Sequence, residues 1–347
     1  MRTYFVAATQ PNVGLTSVSL GLLRALQRRG LKVAFVKPVT KLTPDAEPSV
    51  LFARNICKVA TTPDPLPMSL VTQYVTDGKT DDLLEDIVSL VMSASQGCDV
   101  LVVEGMHADP SRGFIPRLSG DIARSLQADV VLVASGADAE GIAQTQHMIA
   151  QVGRAGRTVV GVIFNRVASG FDEAEASAQL GGVPVWGAIE DNPELIRPRT
   201  IDIARHLGAE VMEVIARLKP GALVISAGDR DDVILATALA ESNGTELAGL
   251  LLTHHSFISQ RIERFGSRAF HGGLPIMRTD GDSYETAARI SRLPLAVPQD
   301  DLSRMDKVID NMAEHLNGDA ICAGLEQAVS THMSPPAFRY ALIQKAR

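Results

Sequence analysis

The sequence predicts an α/β protein whose strands form a mostly parallel sheet covered by helices. Short apolar runs rich in β-branched residues alternate with amphipathic stretches almost from end to end. The runs are continuous rather than alternating with polar residues, which is typical of strands buried on both faces. Hydrophobic residues make up 46% of the 347 residues and aromatic residues only 4%, as expected where aliphatic side chains fill the space between strands and helices.

Six apolar runs predict the strands of a first domain, and the stretches between several of them predict its helices. The strands are Thr3–Ala8, Lys32–Val36, Asp99–Val103, Asp129–Ala134, Thr158–Phe164 and Val183–Ile189. The helices are Ser17–Arg29, Asp81–Ser95, Ser119–Leu126 and Glu140–Arg154. This alternation of strand and helix predicts a mostly parallel, helix-covered sheet.

A shorter alternation of the same kind follows a breaker cluster at Lys219-Pro220-Gly221. Its predicted strands are Ala222–Ser226, Leu247–Thr253 and Leu274–Arg278, and its predicted helices are Asp231–Ser242, Ser259–Phe270, Ser283–Ser291 and Ser303–Leu316. The predicted domains are therefore residues 1–217 and 218–329. Residues 330–347 contain a helix start at Pro335-Pro336 and end in mid-pattern, so we expect them to open a further domain.

Charge and cysteine content limit the classes of partner. The net charge of −7 argues against a general binder of nucleic acid or of anionic membranes. The three cysteines are isolated, which fits a reducing cytosol. No apolar run approaches the 18 residues needed to span a bilayer. We therefore expect a cytoplasmic protein that binds neither nucleic acid nor a membrane.

A phosphate-loop-like segment follows the first predicted strand. It reads Ala8-Thr-Gln-Pro-Asn-Val-Gly-Leu-Thr-Ser17 and leads into an amphipathic helix. Backbone N–H groups and the positive end of the helix favour an anion, Gly14 permits close approach, and the Thr16 hydroxyl can bind phosphate or Mg²⁺. The alternative is that Gly14 serves only a tight turn between strand and helix. The predicted nucleotide- or anion-binding residues of this segment are Thr9, Asn12, Val13, Gly14, Leu15, Thr16 and Ser17.

Leu15 takes the place of the lysine that normally follows the glycine of such a loop. Losing that charge-assisted contact costs about 1.5–3 kcal/mol of binding free energy, and phosphoryl transfer would lose a charge stabiliser. Either an anion is bound without turnover, or a lysine from elsewhere substitutes. Lys37, at the end of the second predicted strand, is the candidate, because ligands of open α/β sheets gather outside the carboxyl ends of the strands.

Three further polar residues lie at or after predicted strand ends. Asp45 lies in the loop after the second strand, and Glu104 follows the third. Together with Thr16 they form the predicted Mg²⁺ site, in which Asp45 would act through water. Asn165 closes the fifth strand and can read a base edge or cap the next loop.

These segments resemble a known family. TYFVAATQPNVGLTSVSLGLLRAL, VAFVKP, DVLVVEG, VVGVIFNRV and VPVWGAIEDNPEL are similar to the dethiobiotin-synthetase-like P-loop region. They look still more like the version at the N-terminus of long-form bacterial phosphate acetyltransferases, where VGLTSVSLG with leucine in place of lysine recurs. The resemblance implies a P-loop NTPase-like sheet followed by a smaller α/β domain.

The second domain resembles the small regulatory domain named for its DRTGG motif. The resemblance implies that Asp229, Arg230 and Thr253 are regulatory candidates. The sequence departs from the family at Thr253-His254-His255, where Thr-Gly-Gly is usual. The tail SPPAFRYALIQKAR is similar to the start of the transacetylase catalytic domain of the same enzymes.

The resemblance implies a parent reaction, acetyl-CoA + phosphate ⇌ acetyl phosphate + CoA, for which the transacetylase domain is required. The leading hypothesis is a regulatory, assembly-forming region that binds ATP, another nucleotide with Mg²⁺, or a small anionic metabolite, without turnover. Its expected partners are the transacetylase domain, in cis or in trans, and further copies of the chain in a homo-oligomer. One alternative is an active ATP-dependent ligase that uses Lys37, and another is a structural module without a ligand.

Overall fold

The computed structural model describes residues 1–107, 111–136, 138–192, 195, 198–208, 210–213, 221–254, 257–293, 296–325 and 333–346. They fall into two compact units, residues 1–195 with 299–347, and residues 196–298. The predicted fold class is confirmed, since each unit contains a sheet of mainly parallel strands with helices packed on it.

The first unit is built on a six-stranded parallel sheet in the order β2-β5-β1-β6-β7-β8. A separate parallel pair, β3 with β4, lies outside this sheet. The strands are β1 (Arg2–Ala8), β2 (Val33–Val36), β3 (Val39–Thr40), β4 (Leu66–Pro67), β5 (Val100–Glu104), β6 (Asp129–Ser135), β7 (Val159–Val167) and β8 (Val185–Glu190). Each of the six predicted apolar runs of this domain overlaps a strand of the main sheet, with ends that differ by at most three residues.

Helices cover this sheet through apolar faces that match its buried side chains. They are α1 (Leu15–Arg28), α2 (Pro48–Asn55), α3 (Met68–Thr76), α4 (Thr80–Ala94), α5 (Ile115–Ser125), α6 (Ala139–Arg154) and α7 (Glu173–Gln179). In α4, for example, Leu84, Ile87 and Val91 recur at helical spacing and join Leu101 of β5 in one core cluster. In the described ranges, no helix is long and apolar enough to cross a membrane.

The second unit is a smaller four-stranded sheet in the order β10-β11-β12-β9, in which β9 alone runs antiparallel to its neighbour. Its elements are α8 (Thr200–Leu207), β9 (Glu210–Glu213), β10 (Leu223–Ala227), α9 (Asp231–Ser242), β11 (Gly249–Thr253), α10 (Gln260–Phe270), β12 (Ile276–Arg278) and α11 (Ser283–Ile290). Its core has a cluster on each face of β11, around Leu250 and around Leu251.

The chain then returns to the first unit with α12 (Leu302–Glu314), α13 (Gly318–Leu325) and α14 (Pro335–Ala346). Helix α12 packs along α1. A Cβ built at Gly21 would lie 2.3 Å from the Cβ of Met312, so glycine allows the two helices their close approach. The Arg24 guanidinium donates to Asp306 at 3.0 Å and to Asp310 at 2.5 Å.

The compact units divide the chain at other places than the predicted boundaries near 217 and 329. Strand β9 lies before residue 217 but pairs with β12 of the second sheet. The predicted helix Ser303–Leu316 belongs to the first unit as α12, although it lies before residue 329. Local periodicity predicts that a helix has an apolar face, but not which sheet or helix that face covers.

Candidate functional site

The phosphate-loop-like segment connects β1 to α1 at the carboxyl edge of the first sheet. The Thr9 backbone N–H donates to the carbonyl of Val133 at 3.0 Å, and the Gln10 side-chain amide donates to the carbonyl of Ser135 at 3.0 Å. Helix α1 begins at Leu15, two residues before the predicted start. Gly14 precedes it with φ 82° and ψ 32°, a left-handed conformation in which residues other than glycine are strained.

Asn165, at the end of β7, ties this loop to the sheet. Its side-chain amide donates to the carbonyl of Val13 at 2.8 Å, and the residue is only 4% exposed. A Cβ at Gly14 would lie 2.5 Å from the same amide nitrogen. In this structure Asn165 therefore positions the loop, whereas the sequence predicted that it reads a base edge or caps the following loop.

The N-terminus of α1 is well suited to an anion. Its cap residue, Gly14, offers no side chain to the first backbone N–H groups, and no acidic residue lies in its first turn. An α-helix leaves the N–H groups of its first turn without helical partners and carries partial positive charge there. Asn12 is exposed and left-handed at φ 60°, while Thr16 and Ser17 are half-buried. These residues fit the predicted anion-binding loop.

Leu15 is 1% exposed and is one of the larger side chains buried in the first unit. Val13, two residues earlier, is equally buried. The side chain that stands in the place of the expected lysine therefore contributes to the hydrophobic core. It supplies no charge to the loop.

Lys37, Glu104 and Thr16 come together beside the loop. The Lys37 ammonium donates to Glu104 Oε1 at 2.5 Å, and the Thr16 hydroxyl donates to the same oxygen at 2.9 Å. Lys37 is 2% exposed and Glu104 is fully buried. The carboxyl ends of β2 and β5 are adjacent in the sheet, which explains why residues 67 positions apart meet.

Glu47, which directly precedes α2, completes this group. Its carboxylate lies 3.7 Å from the Lys37 ammonium and accepts hydrogen bonds from Thr40 at 2.5 Å and Ser49 at 2.6 Å. Burial raises the pKa of Glu47, but the Lys37 charge and these two hydroxyls outweigh burial, so its pKa lies below the usual value. We call Lys37, Glu47 and Glu104 the lysine–glutamate cluster.

His107 lies at the exposed edge of the cluster. Its Nε2 is 3.5 Å from the Lys37 ammonium and 3.9 Å from Glu104 Oε1. Loss of hydration lowers the pKa of His107, and the Lys37 charge lowers it further. The lysine–glutamate cluster itself contains two carboxylates and one ammonium, a formal charge of −1. Glu104 Oε2 is buried without a hydrogen-bond partner in the described part of the chain.

The structure brings together two of the three residues predicted to bind a metal. Thr16 and Glu104 are in contact, but Asp45 lies in an exposed 3₁₀ turn, Pro44–Ala46, while Glu47 of the same loop reaches Lys37. Among the described residues, no preformed group of three or more His, Cys, Asp or Glu side chains could hold a metal ion. Carboxylate and hydroxyl oxygens are nevertheless the ligands that Mg²⁺ prefers, and the buried Glu104 Oε2 is such an oxygen.

The regulatory candidates of the second unit lie at the carboxyl ends of its strands. Arg230 is exposed, and its guanidinium donates to the carboxylate of Asp232 at 2.9 Å. Thr253 is fully buried, and its hydroxyl is 2.9 Å from that of Ser283. His254 is left-handed at φ 59°, and His255 lies outside the described residues.

Comparison with known families agrees with this architecture. A model described as "AAA domain" matches residues 2–199, and a model described as "DRTGG domain" matches residues 202–293. The first match covers more than half of the 347 residues, so the chain belongs to this family of AAA domains. In the chain, the AAA domain is followed by a DRTGG domain.

The chain is also similar over its whole length to curated phosphate acetyltransferases. It is 36% identical to those of Deinococcus radiodurans and Pseudomonas aeruginosa, and each alignment covers 100% of this chain and 55% of the relative. The chain thus spans about half the length of these relatives, as expected for an N-terminal region. Among solved structures, the MinD cell division protein of Aquifex aeolicus is 12% identical with a TM-score of 0.39, covering 56% of this chain and 84% of that one.

Proposed function

We propose that this chain is the N-terminal regulatory and assembly region of a phosphate acetyltransferase. Its first unit binds a nucleotide such as ATP, or another phosphate-bearing metabolite, and transfers no phosphoryl group. The parent reaction, which interconverts acetyl-CoA and phosphate with acetyl phosphate and CoA, belongs to the transacetylase region of the longer relatives.

The observation that carries this proposal is the combination of an uncapped helix N-terminus with the absence of a loop lysine. Gly14 and the first turn of α1 offer backbone N–H groups to an anion. Leu15 is buried, and Lys37 is paired with Glu104 rather than aimed at solvent. Binding then proceeds through backbone dipoles, whereas the cation that would stabilise charge on a transferring phosphoryl group is missing from the loop.

Regulation requires that the ligand bind differently to two arrangements of the protein. We propose that the second unit, with Asp229, Arg230 and Thr253 as candidate ligand contacts, takes part in this coupling. Helix α14 packs against α4 but leaves Phe338, Leu342 and Ile343 about half exposed. This apolar face is a candidate contact for the transacetylase region, in cis or in trans, or for another copy of the chain, in a cytoplasmic assembly.

Titration calorimetry with two glycine variants tests ligand binding at the loop. Gly14→Ala strains a left-handed residue, at φ +82°, and places a Cβ 2.5 Å from Asn165. Gly30→Ala strains a residue of nearly the same φ, +79°, but meets nothing within 4 Å. Both substitutions place alanine at a left-handed residue, so they should cost a similar backbone free energy. Only Gly14→Ala alters the loop itself, and it alone should therefore abolish the heat of binding of Mg-ATP or inorganic phosphate.

The outcomes separate the proposal from its alternatives. Binding by the wild type and by Gly30→Ala, lost in Gly14→Ala, supports an anion site at the loop. An absence of heat in all three proteins would refute ligand binding and favour a purely structural module. ATP hydrolysis or ligation by the wild-type chain would favour an active enzyme.

A further inference from the structure

The Lys37 ammonium lies between the buried carboxylates of Glu47 and Glu104, where a metal cation bound by both carboxylates would also have to lie. We propose that Lys37 is the resident counter-ion of this pair, and that a divalent cation enters the cluster only by displacing the Lys37 ammonium from Glu104. The site therefore holds either the ammonium or the metal, and the two compete.

Burial explains why a resident cation is needed. Glu104 is fully buried and Glu47 is 6% exposed. Two carboxylates out of water without a positive charge would be strongly destabilising. The single ammonium lies 2.5 Å from one and 3.7 Å from the other. The Lys37 ammonium is thus the cation that lies between the two carboxylates.

The oxygen atoms left over have the chemistry of a divalent-cation site. With one ammonium and two carboxylates, the cluster has a formal charge of −1. Glu104 Oε2 is buried without a hydrogen-bond partner in the described residues. The Thr16 hydroxyl already touches the same carboxylate. With Lys37 in place, these groups do not form a preformed metal site in the described ranges. Displacement of the ammonium would expose both carboxylates to a dication.

The exchange would have a consequence for the loop. A displaced Lys37 would carry a free ammonium beside Thr16, with which it shares Glu104 Oε1 in this structure, at a loop whose own position 15 is apolar. Metal entry would thereby make available the positive charge that Leu15 does not supply. This consequence depends on the proposed function, whereas the competition between lysine and metal does not.

Manganese binding without nucleotide tests the competition. Mn²⁺ is titrated by electron paramagnetic resonance into the wild type, Lys37→Met and the double variant Lys37→Met/Glu104→Gln. If the lysine-free state is populated below about one tenth in the wild type, Lys37→Met should bind Mn²⁺ at least about tenfold more tightly. The double variant should lose this gain. If folded Lys37→Met binds Mn²⁺ no more tightly than the wild type, the proposal is overturned.

Lysine labelling of the wild type provides a second test that does not depend on a variant. Amine modification at Lys37, read by mass spectrometry, should rise several-fold when Mg²⁺ fills the site, as shown by competition with Mn²⁺. The exposed Lys79 serves as the control and should not respond. If the site fills while Lys37 stays protected, the ammonium is not displaced. None of these measurements requires nucleotide binding. The competition between lysine and metal can therefore be refuted while the proposed function stands, and the proposed function can be refuted while the competition stands.

Discussion

Replacing Leu15 with lysine restores the residue expected in a nucleotide loop and at the same time damages the core. Leu15 is 1% exposed, and truncation of such a buried leucine costs about 2–5 kcal/mol. Leu15→Lys must also either bury its ammonium or withdraw from the core. We therefore expect its free energy of unfolding without ligand to fall by about 2–5 kcal/mol. Leu15→Met conserves volume and polarity and should lose less than about 1.5 kcal/mol.

Two measurements test these expectations for Leu15→Lys: urea unfolding and titration calorimetry. The chain has one tryptophan, Trp186, which is 1% exposed within the first unit, so its fluorescence during urea unfolding reports on that unit alone. Calorimetry should show that Leu15→Lys binds Mg-ATP more tightly, by about tenfold to 150-fold, the equivalent of a charge-assisted contact of about 1.5–3 kcal/mol. A variant as stable as the wild type without ligand would refute the assigned core role of Leu15. A destabilised variant without tighter nucleotide binding would refute the interpretation of the loop.

Two further predictions concern the surroundings of the loop. Arg24→Ala should lower the free energy of unfolding by about 1–3 kcal/mol, since it removes a side chain that is only 17% exposed and whose guanidinium donates to both Asp306 and Asp310, although these two carboxylates are themselves partly exposed. Arg28→Ala loses a more exposed bond to the same Asp310 and should cost below about 1 kcal/mol by the same urea assay. A cost for Arg28→Ala equal to that for Arg24→Ala would contradict this ranking. The lowered pKa of Glu47 means that the unfolded chain binds more protons below its ordinary value of 4.5. Stability from Glu47 is thus present at neutral pH and lost on acidification, so the wild type should lose more stability than Glu47→Gln between pH 7 and pH 4; equal losses would contradict it.

Much of the fold was predictable because the central strands, such as β1, β5, β6 and β11, are largely buried on both faces and leave continuous apolar runs. The run Asp129–Ala134, for example, lies within β6. The return of α12 to the first unit was not predictable in this way. Its apolar face could cover either sheet, and its contact with α1 depends on Gly21, a residue whose close packing leaves no periodic signal.

The candidate site was predictable where its residues follow strands. Thr16, Lys37 and Glu104 all lie at one edge of a parallel sheet, and the structure brings them into contact. Glu47 escaped prediction because it lies in a proline-containing loop whose path is set by tertiary contacts. Its only local signal is its position before Pro48, at the start of α2.

The proposed function requires that the first unit bind a phosphate-bearing ligand without transferring its phosphoryl group. The most direct test is release of phosphate from ATP by the 347-residue chain with Mg²⁺, at concentrations where calorimetry shows the loop to be filled. We expect no release above the buffer rate, because Leu15 is buried and carries no charge. Steady release of phosphate that disappears in Lys37→Met would contradict it.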